Sequence, residues 1–281
     1  MKAIKIDLEG FASFTVVPTN ENEAQFWKSL MSGSWEPDTV EAIRYLAHPG
    51  RVFWDVGAWI GPTVLLALAR GADVVAFEPD PVALRSLFKN LEANPGLRAK
   101  ATVVEAALAE ANGQQALRTQ TELGDSMSSL TGRGTKGPSI ETLSFLGALS
   151  AHSLPAGSVV KIDIEGGEFL LGRKVWLALK ERNVTLILST HPTILGAWYR
   201  VSERKKLNRL FAIGRSFRPT ADILRSLFPM TFFGDYTTRT GWLPLRLSAV
   251  LYRLFGGKNQ VFVVSTSDWR RTPGLQLRSR E

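Results

Sequence analysis

The sequence of 281 residues contains no cysteine, only three histidines and only four tyrosines. Without thiols, the chain forms neither disulfides nor thiolate metal sites. It also lacks an apolar run of about 18 residues, the length that indicates a membrane-spanning helix, and its first residues lack the apolar region of a signal peptide. These absences favour a cytoplasmic protein. An apolar fraction of 44% is sufficient for a globular core.

Acidic residues are scarce late in the chain. Residues 200–258 carry twelve Lys and Arg against three Asp and Glu, whereas residues 1–199 carry eighteen against twenty-one. This asymmetry suggests an anionic partner. The options are an acidic glycan, a phosphate-bearing lipid or carrier, a membrane surface and nucleic acid. The alternative is a solvated basic face with no dedicated partner, and the sequence leaves both open.

A glycine-rich turn between two apolar segments is the most informative motif. Residues 52–61 read Val-Phe-Trp-Asp-Val-Gly-Ala-Trp-Ile-Gly. The first apolar segment ends at Asp55, an apolar helix follows the turn, and the second apolar segment ends at Glu78. Strand, glycine turn, helix, strand and acid in this order are typical of a nucleotide-binding βαβ unit. Glycines let a backbone approach a ligand closely, and a carboxylate at the second strand end can accept from both hydroxyls of a ribose.

The spacing of the turn then favours one class of nucleotide. Dinucleotide-binding turns read G-x-G-x-x-G and accept a pyrophosphate. Here the pattern is Asp55-x-Gly57-x-x-x-Gly61, and a carboxylate repels a pyrophosphate but attracts a cationic ligand. The turn therefore favours S-adenosylmethionine over a nicotinamide cofactor. A glycine-rich turn of some other α/β protein is the alternative that this motif alone leaves open.

Two further blocks accompany the turn, namely Phe77-Glu78-Pro79 and the segment Lys161-Ile-Asp-Ile-Glu-Gly-Gly-Glu168. The three blocks, in this order, resemble the FkbM-type family of class I S-adenosylmethionine-dependent methyltransferases over about residues 50–192. The resemblance implies an α/β, Rossmann-like class I methyltransferase fold, with a mostly parallel sheet and helices on both faces. Trp59 stands where the family usually has Asn, which suggests an aromatic wall near the ligand.

We expect the chain to be organised as a cap, a catalytic domain and a tail. Residues 1–50 predict a hairpin and two helices, and residues 270–281 a frayed tail. Residues 51–269 predict the Rossmann-like domain, with a basic C-terminal extension at 193–258. Within it, residues 120–139 predict a mobile loop, for which a plain surface loop is favoured over a lid. Residues 244–255 predict an amphipathic helix, for which a core position is favoured over a membrane interface.

The predicted strands end in polar residues, and the carboxyl ends of parallel strands meet at one edge of a sheet, where ligands bind. The resemblance implies cofactor-binding roles for these strand ends and the residues after them. Asp55 is expected near the amino-acid part of the cofactor, with the backbone of Gly57, Ala58 and Gly61 close by. Glu78 and Pro79 are expected at the ribose, Glu105 and Ala106 at the adenine, and Asp163 beside the methyl group.

The predicted catalytic residues are Asp163, Glu165 and His191. Methyl transfer is an in-line displacement that depends on alignment, and a hydroxyl acceptor also needs a base for its proton. Glu165 is expected to face the acceptor, and a histidine with an ordinary pKa of about 6.5 suits a base. The alternatives are a plain Lys161–Asp163 ion pair and a structural loop histidine. The three residues could also hold a divalent cation, but their spacing does not demand one, and we predict no metal.

The sequence thus predicts an S-adenosylmethionine-dependent methyltransferase that modifies a hydroxyl of a sugar, glycan or secondary metabolite, with an anionic acceptor as one option. One alternative is a nicotinamide-dependent oxidoreductase, which Asp55 disfavours. The other is a nucleic-acid- or membrane-binding protein with a degenerate site. The basic region favours that alternative, but the intact strand-end acids argue against it, so nucleic acid is not expected and a membrane surface is not favoured.

Overall fold

The computed structural model describes residues 1–119, 122–131 and 135–191, four residues of a short helical segment (222, 223, 226 and 227), and the backbone of residues 231–233 and 260–265. None of the helices in these ranges is both long and apolar enough to span a bilayer. The helix expected at 244–255, the tail at 270–281 and nearly all of the basic extension lie outside the described residues.

The N-terminal segment forms the predicted hairpin and two helices. Strands β1 (Ile4–Leu8) and β2 (Ala12–Val16) pair antiparallel, and helices α1 (Glu21–Met31) and α2 (Pro37–Leu46) follow. Asn20 caps α1 by accepting a hydrogen bond from the backbone N–H of Glu23. The apolar faces of these elements pack into the same core as one face of the main sheet.

The next part of the chain alternates strands and helices. Its elements are β3 (Val52–Val56), α3 (Pro62–Ala69), β4 (Asp73–Phe77), α4 (Pro81–Glu92), α5 (Pro95–Arg98), β5 (Ala101–Val104), β6 (Ala107–Ala109), β7 (Gly113–Thr119), β8 (Thr135–Ser144), α6 (Phe145–Ala151), β9 (Val159–Ile162), a 3-10 turn (Gly167–Leu170), α7 (Arg173–Glu181), β10 (Thr185–Thr190), β11 (Thr231–Phe233) and β12 (Gln260–Ser265).

Seven of these strands form the main sheet, in the order β11–β12–β10–β9–β3–β4–β5. Strands β10, β9, β3, β4 and β5 are parallel to one another. Strand β12 is antiparallel to both of its neighbours, β10 and β11. Successive residues of β3 point to opposite faces, so Phe53 packs with α3 on one side and Trp54 packs with α6 and α7 on the other. The predicted α/β, Rossmann-like fold, with a mostly parallel sheet and helices on both faces, is confirmed.

An insertion between β5 and β9 was not predicted. Strands β6, β8 and β7 form a separate three-stranded sheet in that order. The loop prediction for residues 120–139 is therefore wrong from Thr135 onward, where β8 begins. Because β8 and β7 are short of large apolar residues, their sequence lacks the alternation that identifies a strand. After β9, extended backbone at Gly172 separates the 3-10 turn from α7.

Candidate active site

The glycine-rich turn lies against the carboxyl ends of two neighbouring strands. The backbone N–H groups of Gly57 and Ala58 donate to Phe77 O at 3.0 and 3.2 Å, which ties the turn to β4. Gly57 has φ +87°, and a Cβ there would lie 2.0 Å from Asp163 O at the end of β9. A side chain at this position would therefore both strain the backbone and collide with β9. The turn thus places backbone without a side chain at the carboxyl ends of the central strands.

A first cavity of about 600 Å³ lies beside this turn, over the end of β4. Four of the predicted cofactor-binding residues line it, namely Gly57, Glu78, Pro79 and Asp163. Its wall also contains apolar side chains from β4, the insertion and the segment after β9: Phe77, Leu108, Leu117, Leu130 and Ile164. A largely apolar wall with a few carboxylates, of which Glu78 is buried, is the composition expected of a small-molecule site.

Glu78 is held rigidly in the wall of this cavity. Its Oε2 accepts from Trp59 N at 2.7 Å and its Oε1 from Asp80 N at 2.8 Å. Burial raises the pKa of Glu78 to about 7, and the two backbone hydrogen bonds oppose that rise. A carboxylate has about four acceptor positions, so two remain for the hydroxyls of a ribose.

The segment 122–131 covers the first cavity. Gly124 N donates to Asp80 Oδ2 at 2.7 Å, and the Trp59 indole Nε1 donates to Gly124 O at 2.7 Å. At the other end of the segment, Ser129 Oγ donates to Glu165 O at 2.7 Å. Ser126, Ser128 and Leu130 line the cavity from this side. The favoured expectation of a plain surface loop is therefore wrong for this segment, which forms a wall of the site.

A second cavity of about 630 Å³ adjoins the first. The N-terminal segment contributes Phe26, Trp35 and Glu36 to its lining. Further lining residues come from the glycine-rich turn, the start of α3 and β9, and are Ala58, Pro62, Thr63 and Lys161. Five residues line both cavities: Gly57, Trp59, Ser126, Asp163 and Glu165. A single ligand can therefore extend from the first cavity past the glycine-rich turn into the second.

Lys161 forms a buried ion-pair network between the strands. Its Nζ lies 3.2 Å from Asp55 Oδ1 and 3.6 Å from Asp163 Oδ2, and it donates to Gly57 O at 3.0 Å. Burial alone would lower the pKa of Lys161, but Asp55 and Asp163 raise it well above its usual range. Lys161 is therefore a permanent cation whose charge is balanced by these partners.

Asp55 does not reach either cavity. Its side chain is fully buried, its Oδ2 accepts from Thr63 Oγ1, and its Oδ1 faces Lys161. Burial raises the pKa of Asp55, and Lys161 opposes that rise. Asp55 therefore contacts Lys161 and Thr63 and lines neither cavity, and its place near the amino-acid part of a cofactor stays a prediction.

His191 lies among three carboxylates. Its Nδ1 is 3.3 Å from Glu168 Oε1, and its Nε2 is 3.5 Å from both Asp163 Oδ1 and Glu165 Oε2. Glu168 is fully buried and also accepts hydrogen bonds from His191 N at 2.7 Å and Gly166 N at 2.8 Å. Burial alone would lower the pKa of His191, but Glu168, Asp163 and Glu165 raise it to about 10.

This pKa corrects the sequence interpretation of His191. An imidazole with a pKa of about 10 is already protonated near neutral pH and cannot accept a further proton. Burial raises the pKa of Glu165 to about 7, and the charge of His191 opposes that rise. Of the predicted catalytic residues, Glu165 therefore has a pKa that suits a base near neutral pH.

The same group has the ligand spacing of a cation site. Asp163, Glu165 and His191 each offer a ligand atom, and these atoms lie within 4.8 Å of one another. A divalent cation bound there would replace the proton on His191 Nε2. The geometry permits a metal ion without requiring one, as the sequence also indicated.

Five predicted residues line neither cavity, namely Asp55, Gly61, Glu105, Ala106 and His191. Glu105 is exposed and Ala106 is buried, and neither lines a cavity, whereas their neighbours Ala107 and Leu108 line the first one. Sequence reasoning missed Glu36 and Glu168. Glu168 belongs to the third sequence block, and a glutamate so close to the two predicted acids was a usable signal. Glu36 carries no motif, because its position depends on how the N-terminal segment packs on the sheet.

Comparison with known proteins gives weak sequence matches. No protein-family model matches the chain. The hexuronic acid methyltransferase AglP of Haloferax volcanii is 26% identical over 184 residues, which are 64% of this chain and 72% of AglP. Methyltransferase FkbM from Methylobacillus flagellatus superposes with a TM-score of 0.41 at 15% identity, over 88% of this chain and 55% of that one. A TehB-like SAM-dependent methyltransferase from Corynebacterium glutamicum superposes with a TM-score of 0.41 at 12% identity, over 88% and 97% of the two chains.

This chain therefore spans little more than half the length of the FkbM structure. Membership of the FkbM-type family stays a prediction.

Proposed function

We propose that the protein is an S-adenosylmethionine-dependent methyltransferase that methylates a hydroxyl oxygen. One observation carries the proposal: Glu78, held by two backbone hydrogen bonds, lines a first cavity that shares Gly57, Asp163 and Glu165 with a second cavity. The ribose would bind at Glu78, the adenine against the apolar wall, and the amino-acid chain past Gly57. The bound cofactor supplies a methyl group that its sulfonium charge already activates.

The charges of the two cavities disfavour the nicotinamide alternative. Among the described residues that line them, Lys161 is the one cation, and Asp55, Asp163 and Gly57 O already surround it. A pyrophosphate would therefore meet carboxylates without a compensating cation. A cofactor with a sulfonium and an ammonium group suits the same surroundings.

The positions of Glu165 and His191 support transfer to a hydroxyl. The bound cofactor would supply the methyl group from its sulfonium, and the proton that the acceptor hydroxyl loses would pass to Glu165 Oε2. This oxygen is buried and accepts no hydrogen bond from the described residues. The protonated His191, 3.5 Å away, keeps Glu165 ionised at a lower pH than burial alone would allow.

The proposed acceptor is a sugar or glycan, or a secondary metabolite with a similar hydroxyl. AglP acts on a hexuronic acid, which supports the glycan class. In this chain, however, Glu36, Asp163 and Glu165 all line the second cavity, and a carboxylate at the reacting centre would be repelled. We therefore expect a hydroxyl to receive the methyl group, whether or not the rest of the acceptor carries a negative charge.

The chemical stability of the product tests this proposal. The protein is incubated with labelled S-adenosylmethionine and matched hexosides and hexuronides, and the labelled products are then treated with mild base. We expect a base-stable methyl ether, formed by the wild type and lost in Glu165→Gln. A base-labile methyl ester would overturn transfer to a hydroxyl, and labelling by neither acceptor set would argue against this acceptor class.

A further inference from the structure

Glu36 has an unfavourable backbone conformation for a glutamate. It immediately precedes α2 and has φ 34° and ψ 58°, in the left-handed region that residues with a Cβ rarely adopt. Its side chain does not cap α2, although a residue in this position usually does so. The chain thus tolerates strain at this position without the usual local benefit, and such strain often accompanies a binding function.

Glu36 lines the second cavity. Its Oε2 is buried and accepts no hydrogen bond from any residue that the structure describes. Burial and the nearby charge of Asp163 raise the pKa of Glu36 to about 7, while Lys161, the Thr39 hydroxyl and His191 act in the opposite direction. A buried carboxylate oxygen without a donor is costly unless a ligand supplies one.

The surroundings of Glu36 favour a cationic ligand. Lys161 is already paired with Asp55 and Asp163, so the cavity has more carboxylates than free cations. Three aromatic side chains form the adjacent wall: Phe26 contacts Trp59 at a ring distance of 4.6 Å and Trp35 at 5.1 Å. An apolar wall excludes water and strengthens an ion pair next to it.

The route from the first cavity identifies that cation. If a ribose binds at Glu78, its 5′ substituent leaves the first cavity past Gly57 and Trp59, which line both cavities. In S-adenosylmethionine this substituent carries the sulfonium and, farther along, the α-ammonium group. Glu36 lines the part of the second cavity that the first does not share.

We propose that Glu36 binds the α-ammonium group of S-adenosylmethionine, so that the N-terminal segment completes the cofactor site. The ammonium donates a charge-assisted hydrogen bond to Glu36 Oε2. This inference rests on the proposed function. It also gives the N-terminal segment a binding role that none of the three sequence blocks indicates.

Calorimetry with two related ligands tests the inference. S-Adenosylhomocysteine carries the α-ammonium, whereas 5′-methylthioadenosine keeps the adenosyl group and lacks the amino-acid part. We expect Glu36→Gln to weaken S-adenosylhomocysteine about 10–100-fold, the usual effect of losing a hydrogen bond between charged groups, and to leave 5′-methylthioadenosine within about twofold. Retained binding of 5′-methylthioadenosine also shows that the variant is folded. Glu78→Gln is the matched control and should weaken both ligands.

A third ligand separates the ammonium from the carboxylate of the amino-acid part. An S-adenosylhomocysteine analogue without its α-amino group should bind wild type and Glu36→Gln equally. Equal binding of S-adenosylhomocysteine by wild type and Glu36→Gln would overturn the inference and leave the cofactor assignment intact. An equal loss of both standard ligands in Glu36→Gln would also overturn it, because Glu36 would then only shape the cavity. If the wild type binds neither ligand, the proposed function itself fails.

Discussion

At the scale of single residues, burial and neighbouring charges decide which acid can accept a proton. Glu165 is an acid that the structure keeps near the midpoint of its titration at neutral pH, with a pKa of about 7. Asp163, Glu168 and Glu36 favour its protonated form, whereas His191 favours its ionised form. Glu165 thus combines a suitable pKa with an oxygen, Oε2, that faces His191 at 3.5 Å and accepts no hydrogen bond from the described residues.

Removing the carboxylate of Glu165 should affect the chemical step and spare cofactor binding. For Glu165→Gln we expect turnover to fall by about 10²–10⁴-fold, with affinity for S-adenosylhomocysteine nearly unchanged. Steady-state kinetics and calorimetry on the same preparation measure both quantities. Turnover close to that of the wild type would leave alignment as the main catalytic effect.

The pH dependence of activity should follow the titration of Glu165. A base acts only when ionised, so the rate should rise as the pH passes the Glu165 pKa of about 7. His191→Gln removes a positive charge that lowers this pKa, so the rising limb should move to higher pH. Rate profiles of the two proteins between pH 5 and 9 make the comparison. A rising limb at the same pH in both proteins would contradict the assignment of Glu165 as the base.

At the scale of elements, the segment 122–131 connects three strand ends across the first cavity. It bonds to Asp80 after β4, to Trp59 in the glycine-rich turn and to Glu165 after β9. A ligand in the first cavity would be enclosed by these contacts. The segment should therefore control how fast the cofactor leaves.

Trp59→Phe tests this role with a small change. The variant loses the indole hydrogen bond to Gly124 O but keeps an aromatic ring against Phe26. A neutral hydrogen bond contributes about 0.5–1.5 kcal/mol, so S-adenosylhomocysteine should dissociate about 2–10-fold faster. Stopped-flow displacement measures the rate, with Trp176→Phe as a control that loses an indole hydrogen bond to Leu171 O outside both cavities. An unchanged dissociation rate would show that the segment does not retain the ligand.

At the scale of the whole molecule, the sequence predicts what depends on local pattern. The parallel strands were predictable because strands buried on both faces are continuous apolar runs, and their polar ends located Glu78, Asp163, Glu165 and His191. The insertion strands were missed because their polar residues lack that pattern. The raised pKa of His191 and the position of Glu36 depend on contacts between distant segments, which no local pattern encodes.

The excess of basic residues at 200–258 leads to a prediction for partner binding. If these residues recruit an anionic acceptor or surface, raising the salt concentration should weaken that association, because exposed charges are screened over about 8–10 Å. Cofactor affinity should change far less, since its partners are buried. Binding to acidic and neutral glycans at low and high salt tests the prediction. Salt-insensitive binding would favour a solvated face without a partner.

The central claim is that the first cavity binds an adenosyl cofactor through Glu78. Calorimetry with S-adenosylhomocysteine and with NAD⁺, on the wild type and Glu78→Ala, tests it most directly. We predict that the wild type binds S-adenosylhomocysteine in preference to NAD⁺ and that Glu78→Ala loses about 10–100-fold of that affinity, because the ribose hydroxyls lose a charged acceptor. Preferential binding of NAD⁺, or an unchanged affinity in folded Glu78→Ala, would contradict the claim.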